Sequence, residues 1–154
     1  MKTSLLHPSN DTFPKLLELV KSLYDHEALL FDALKVEGGL RHLLDTPDDG
    51  DVWLIQCESD GVADIVGYIV MTYSYSVHWG GHAAIIDQLY ISPSWRNQGI
   101  GSWVIPELEN LARERGCCAV SLEVNIGNGG ARTFYERHDF IPRRQFCVMV
   151  KPIN

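Results

Sequence analysis

The sequence predicts an α/β layered domain with mixed strand pairing. Three observations carry that expectation. Apolar residues recur first at helical spacing and then, after residue 51, in strand-like runs. The order of segments reads strand, two helices, three strands, helix, strand, helix, strand. And 154 residues suffice for one core but not for two ordinary domains, so residues 1–154 are expected to form a single domain.

Residues 3–6 read as a short strand, closed by the His7-Pro8-Ser9-Asn10 turn. Phe13, Leu16, Leu17, Val20, Leu23 and Tyr24 then fall on one face of a helix. A second helix is expected over about 36–44, ended by the turn-forming run Asp45-Thr46-Pro47-Asp48-Asp49-Gly50. Residues 52–57 read as a buried strand, Glu58-Ser59-Asp60-Gly61 as a hairpin turn, and residues 65–71 as the partner strand. After the turn at Val77-His78-Trp79-Gly80-Gly81, residues 83–91 form a third apolar strand that carries one acid, Asp87, and stops at Pro93.

Ile100, Val104, Leu108 and Leu111 set a helical rhythm over 99–115, with Gly116 placed as the C-terminal stop. Pro106 removes one backbone bond from that helix, at a cost of about 3 kcal/mol in a regular interior, and predicts a kink. Residues 118–124 read as a strand, 129 to about 137 as a short helix and 145–150 as a terminal strand.

Composition narrows the function classes. Hydrophobic residues make up 45% and charged residues 21%, the balance of a folded globular chain and not of a disordered one. A formal net charge of -7 argues against a basic nucleic-acid surface. It suits a cationic substrate, or serves solubility alone. Cys57, Cys117, Cys118 and Cys147 lack metal-ligand spacing, so neither a metal nor a disulfide framework is expected. No apolar run approaches membrane-spanning length and the first residues lack a signal-peptide core, so a cytoplasmic chain without a membrane partner is expected.

The chemistry-bearing stretch runs from the Asp87 strand through Ser92-Pro93-Ser94-Trp95 into Arg96-Asn97-Gln98-Gly99-Ile100-Gly101-Ser102 at a helix start. Glycines let a backbone approach a ligand closely, and free amides at a helix start form an anion site suited to a pyrophosphate. A flexible turn capping an ordinary helix would look the same. The dinucleotide fingerprint fails, because position 104 is Val104 and not a third glycine, and no GK[ST] phosphate loop is present.

Arg96, Gly99 and Gly101 fit the pattern [QR]-x-x-G-x-[GA], and Asn128, Ala131, Phe134 and Tyr135, followed by Phe140, fit N-x-x-A-x-x-F-Y and its trailing G-F pair. With both motifs in this order, the chain resembles the GNAT superfamily of N-acetyltransferases. The run Met71-Thr72-Tyr73-Ser74-Tyr75-Ser76-Val77-His78-Trp79 before an acid-bearing strand is similar to the spermidine/spermine (diamine) branch. Two departures stand out: Asp139 replaces the glycine of the G-F pair, and Pro106 lies in the helix after the phosphate loop.

The resemblance implies a mixed sheet with an antiparallel centre, flanked by helices and splayed at the cofactor site. It implies acetyl-CoA as co-substrate and a primary amine, small or polyamine-like, as acceptor. Residues 96–102, with Asn128, Ala131 and Phe134, would hold the cofactor, and backbone amides of Leu89, Tyr90 and Ile91 would meet the thioester carbonyl. Tyr135 would be the general acid for the departing thiolate, with packing beside Phe134 as the alternative. Asp87 would be the general base, directly or through water; a carboxylate satisfied by backbone amides or an arginine is the alternative. Asp32 and Glu37 could hold a distant ammonium. A homodimer is implied as well. Protein lysine or N-terminal acetylation, and acyl-CoA binding without turnover, remain as other functional readings.

Overall fold

The computed structural model describes residues 1–153, which fall into two units, Met1–Glu123 and Val124–Asn154. The first unit holds β1 (Lys2–Leu6), α1 (Phe13–His26), α2 (Ala33–Asp45), β2 (Gly50–Ser59), β3 (Val62–Ser76), β4 (Gly81–Ile91), a single 3-10 turn (Pro93–Trp95), α3 (Ile100–Glu114) and β5 (Ala119–Leu122). Its five strands form one sheet in the order β1-β2-β3-β4-β5. The first four are antiparallel neighbours, and β5 runs parallel to β4. The expected mixed sheet with an antiparallel centre and flanking helices is therefore the observed architecture.

Alternation along the strands sends successive side chains to opposite faces. Val52, Leu54, Tyr68, Val70 and Tyr90 share one core with Phe13, Leu16, Leu19 and Val20 of α1 and Leu40 of α2. Each such fully buried large side chain contributes about 1.5–3 kcal/mol. Ile55, Ile69 and Met71 alternate to the other face and are equally buried. α3 buries Ile100, Val104, Ile105, Leu108 and Ala112 and packs on β4 and β5. It runs through Pro106 to Glu114, its apolar stripe continuing on both sides of the proline.

Two bulges interrupt the alternation. Ile55 pairs with Gly67 and Gln56 with Ile65, leaving Val66 as an extra residue in β3. Val70 pairs with Gln88 and Met71 with Ile86, leaving Asp87 as an extra residue in β4. A bulge re-aims the side chains that follow it. Beyond Asp87, Gln88 and Tyr90 therefore lie opposite Val70 and Tyr68, on the face of α1 and α2.

Several boundaries differ from the sequence expectation. α2 begins at Ala33 and not near 36, because Asp32 is a side-chain cap: its Oδ1 accepts from the Lys35 N–H at 3.2 Å. β3 continues to Ser76, and β5 is only four residues long, within the expected 118–124.

In the second unit, α4 (Gly129–Glu136) forms where a short helix was expected. The expected terminal strand over 145–150 does not form. Phe146, Val148 and Val150 are 60%, 62% and 82% exposed, and Met149 on the alternate face is 89% exposed. Alternation makes a strand only where a ladder partner and a buried face exist, and among the described residues this segment has neither.

Candidate functional site

At the end of β4 the backbone is pinned to β3 on one edge, and β5 does not reach it on the other. The Ser92 N–H donates to the carbonyl of the bulged Val66 at 2.8 Å. Next to it, Gly67 faces Ile91 so closely that an added Cβ would lie 2.3 Å from the Tyr90 carbonyl oxygen. Only glycine allows that approach. On the opposite edge, β5 pairs with β4 from Ala83 to Ile86 and stops. β4 continues for residues 87–91 with no β5 residue alongside. A strand edge beyond its ladder partner presents alternate backbone N–H groups outward, here within the segment that holds Leu89, Tyr90 and Ile91.

The chain then turns into α3. Arg96 Nε donates to the Ile91 carbonyl at 2.8 Å, and its guanidinium lies 5.4 Å from the centre of the Tyr90 ring. Gln98 Nε2 donates to the Ser94 carbonyl at 2.9 Å. Both side chains thus fasten the turn to itself. Asn97 and Gly99 adopt φ of 61° and 82°, which coils the backbone tightly before the helix. The first α3 bond runs from the Trp103 N–H to the Gly99 carbonyl at 3.0 Å, and no side chain caps Gly99. The N–H groups of Ile100 and Gly101 precede that first bond, at the positive end of a 15-residue helix. Backbone amides at a helix start suit an anion.

Asp87 is exposed at the β4 bulge, yet its surroundings desolvate the carboxyl enough to hold it above the ordinary carboxylate range. Beside it, the hydroxyl of the fully buried Tyr68 donates to Gln88 Oε1 at 2.8 Å. Burial drives the Tyr68 hydroxyl far toward its protonated form, and the fields of Tyr24, Asp87 and Tyr90 add to it. The Tyr24 and Phe31 rings meet edge to face at 5.4 Å.

Asp32 and Glu37 are engaged locally. Asp32 caps α2, and Glu37 accepts from Arg41 Nη2 at 2.9 Å. His78 and His82 meet Trp79 and Tyr75 edge to face, with ring centres 4.8 Å and 5.4 Å apart.

In the second unit Asn128 is the cap of α4, its Oδ1 accepting from the Ala131 N–H at 3.0 Å. Spacing of three between Asn128 and Ala131 is what an N-cap bond requires. The helix closes when the Phe140 N–H donates to the Tyr135 carbonyl at 3.1 Å, with Asp139 between them at a φ of 63°. That left-handed position explains the glycine of the G-F pair, and an aspartate tolerates it better than most residues. Tyr135 packs against Phe134 and Phe140 at 5.2 Å and 5.5 Å between ring centres. Desolvation pushes its phenol up to about 12.

Tyr68 and Gln88 are not among the sequence-predicted site residues. Adjacency to Asp87 could have flagged Gln88, but its bond to Tyr68 spans 20 residues and depends on the β3/β4 register. Among the described residues, no helix is long and apolar enough to cross a membrane, and no group of three or more His, Cys, Asp or Glu is placed to hold a metal.

Thialysine N-epsilon-acetyltransferase of Bos taurus is 35% identical over 72 residues, 47% of this chain and 42% of that one, so the match spans less than half the length of that curated relative. A crystal structure of a possible acetyltransferase from Clostridium difficile 630 has a TM-score of 0.81 at 17% identity, covering 100% of both chains. An integron cassette protein from the mobile metagenome of Cole Harbour Salt Marsh also reaches 0.81, at 22% identity over 97% of this chain and 91% of that one. The model of the acetyltransferase (GNAT) family matches residues 17–140, across the turn into α3, the Asp87 strand and α4, and the chain belongs to that family.

Proposed function

We propose that this chain is an acetyl-CoA-dependent N-acetyltransferase acting on a primary amine by direct attack on the thioester. The observation that carries the reading is continuity. The edge of β4 that loses its β5 partner after Ile86 leads, within one short turn, to the uncapped start of α3. A thioester attached to a pyrophosphate by a long arm needs both features in that order.

In this reading the amides of Ile100, Gly101 and neighbouring residues of 96–102 hold the pyrophosphate. Edge amides of residues 89–91 stabilise the charge that develops on the carbonyl oxygen. The amine nitrogen forms the new C–N bond and loses its proton to Asp87, directly or through water. The C–S bond breaks, and the leaving thiolate takes a proton from Tyr135. A carboxyl held above its ordinary range is a better base than a free one, and a phenol near 12 stays protonated until a thiolate needs it. Asn128 and Ala131 set the helix that carries Phe134, which packs by the cofactor arm, and Tyr135.

The two units act as one domain in this reading, which the family match across residues 17–140 supports. A small amine is favoured as acceptor by the thialysine-acetylating relative. A homodimer in the cytoplasm completes the proposal, and four free cysteines suit a reducing compartment.

Thiol release from acetyl-CoA, followed with a panel of small amines and lysine peptides, tests it. Turnover with a small amine supports the proposal. Turnover with peptides alone makes the chain a protein acetyltransferase. Acetyl-CoA binding without turnover on any amine makes it a non-catalytic module.

A further inference from the structure

The bulge at Asp87 has a consequence for which amines fit. By adding one residue to β4, it places Gln88 on the face of Tyr68, so a carboxylate and a carboxamide stand at consecutive positions of one strand. The carboxamide is not free to rotate. Tyr68 is 0% exposed and donates its hydroxyl to Gln88 Oε1 at 2.8 Å. A buried hydroxyl needs an acceptor, and the carbonyl end of the amide is the acceptor it has. The NH2 end of Gln88, on a residue that is partly exposed, therefore keeps its two donors, and no acceptor among the described residues is bonded to them. Next to an acid suited to an amine stands a donor suited to an acceptor group.

This bears on the acceptor, and it rests on the acetyl-transfer reading above. We propose that Gln88, oriented by Tyr68, is a specificity-determining residue that selects amines carrying a carboxylate or carbonyl a few bonds from the reacting nitrogen over plain diamines. Asp87 takes the amine, and the Gln88 NH2 donates to the second group. A diamine brings a second ammonium, which has no lone pair for that NH2 to meet. A site built to hydrogen-bond a substrate group discriminates strongly against the analogue that cannot answer it.

Gln88→Glu tests this with little change of shape. The carboxylate still accepts from Tyr68, so the buried hydroxyl stays satisfied, while the NH2 donor becomes a negatively charged oxygen. The probes are 5-aminopentanoate and 1,4-diaminobutane, which share a four-methylene chain and differ in the terminal group. Wild type is expected to favour 5-aminopentanoate in kcat/KM, and Gln88→Glu to shift the ratio toward the diamine by about tenfold or more, chiefly through KM. Tyr68→Phe is expected to raise KM for 5-aminopentanoate by about threefold, with a smaller effect on kcat, because the amide loses its anchor. Acetyl-CoA binding by calorimetry reports that each variant is folded. An unchanged ratio in a folded, active Gln88→Glu variant overturns the assignment and leaves the acetyl-transfer reading standing. Wild type inactive on every amine overturns that reading and the assignment together.

Discussion

Arg115 reaches from the C-terminal end of α3 to Asp51 on β2, and its Nη2 lies 3.0 Å from each carboxylate oxygen. Asp51 is only 7% exposed, and Tyr73 donates its hydroxyl to the same carboxylate at 2.6 Å. Arg115 also donates through Nη1 to the Pro47 carbonyl at 2.9 Å. One guanidinium thus ties the end of α3 to the strand layer and to the loop before β2.

Arg115→Met is expected to lower unfolding stability by about 2–4 kcal/mol, because it leaves a buried carboxylate without its countercharge. Urea denaturation measures this. Adding Asp51→Leu should recover most of the loss, since no unpaired charge then remains. A single variant as stable as wild type would mean that the pair contributes nothing net.

Asp87→Asn is expected to lower kcat/KM and to remove its acid limb, which in wild type should lie above the ordinary carboxylate range. The same substitution carries a stability signature. A carboxyl whose folded value is raised binds its proton more tightly in the folded state, so its favourable contribution is present below the unfolded value and lost as pH rises through the folded one. Asp87→Asn should therefore raise Tm at pH 7, by about 1–2 °C given solvent screening, and not at a pH below 4. Thermal melts at both pH values check the sign.

Tyr135→Phe is expected to reduce kcat by about 10²-fold or more, with little change in acetyl-CoA affinity. A phenol pushed up to about 12 remains protonated throughout an ordinary assay range, so wild type should show no falling limb from this group below about pH 11. Unchanged turnover in the variant would leave Tyr135 as a packing residue beside Phe134 and Phe140.

Gly99→Ala should weaken acetyl-CoA binding by about fivefold, with a smaller effect on kcat at saturation. Nothing lies within 4 Å of an added Cβ, so the effect is torsional: a φ of 82° costs alanine about 1 kcal/mol, which the turn regains by unwinding. Calorimetric titration of acetyl-CoA into the variant measures it.

The turn before α3 was legible because its determinants are local. Glycine at a positive φ and amide donors at a helix start act over three or four residues, and sequence spacing states them directly; the Asn128-x-x-Ala131 cap of α4 is local in the same way. Helix faces and buried strands were legible for the same reason, since period and burial coincide. The terminal segment shows the limit. Residues 145–150 carry strand-like residues, but pairing is a property of the neighbour, and no neighbour is written into those six positions.

By itself, then, the sequence determined the order of elements as far as α4, and the family. Tertiary structure decided how those elements meet. Register slips at Val66 and Asp87 set which side chains share a face and put Gln88 within reach of the Tyr68 hydroxyl, and the placement of the α3 end against β2 brings Arg115 to Asp51 across 64 positions. Such pairings depend on ladder register and on which buried polar group finds a partner, and both are settled only when distant segments pack.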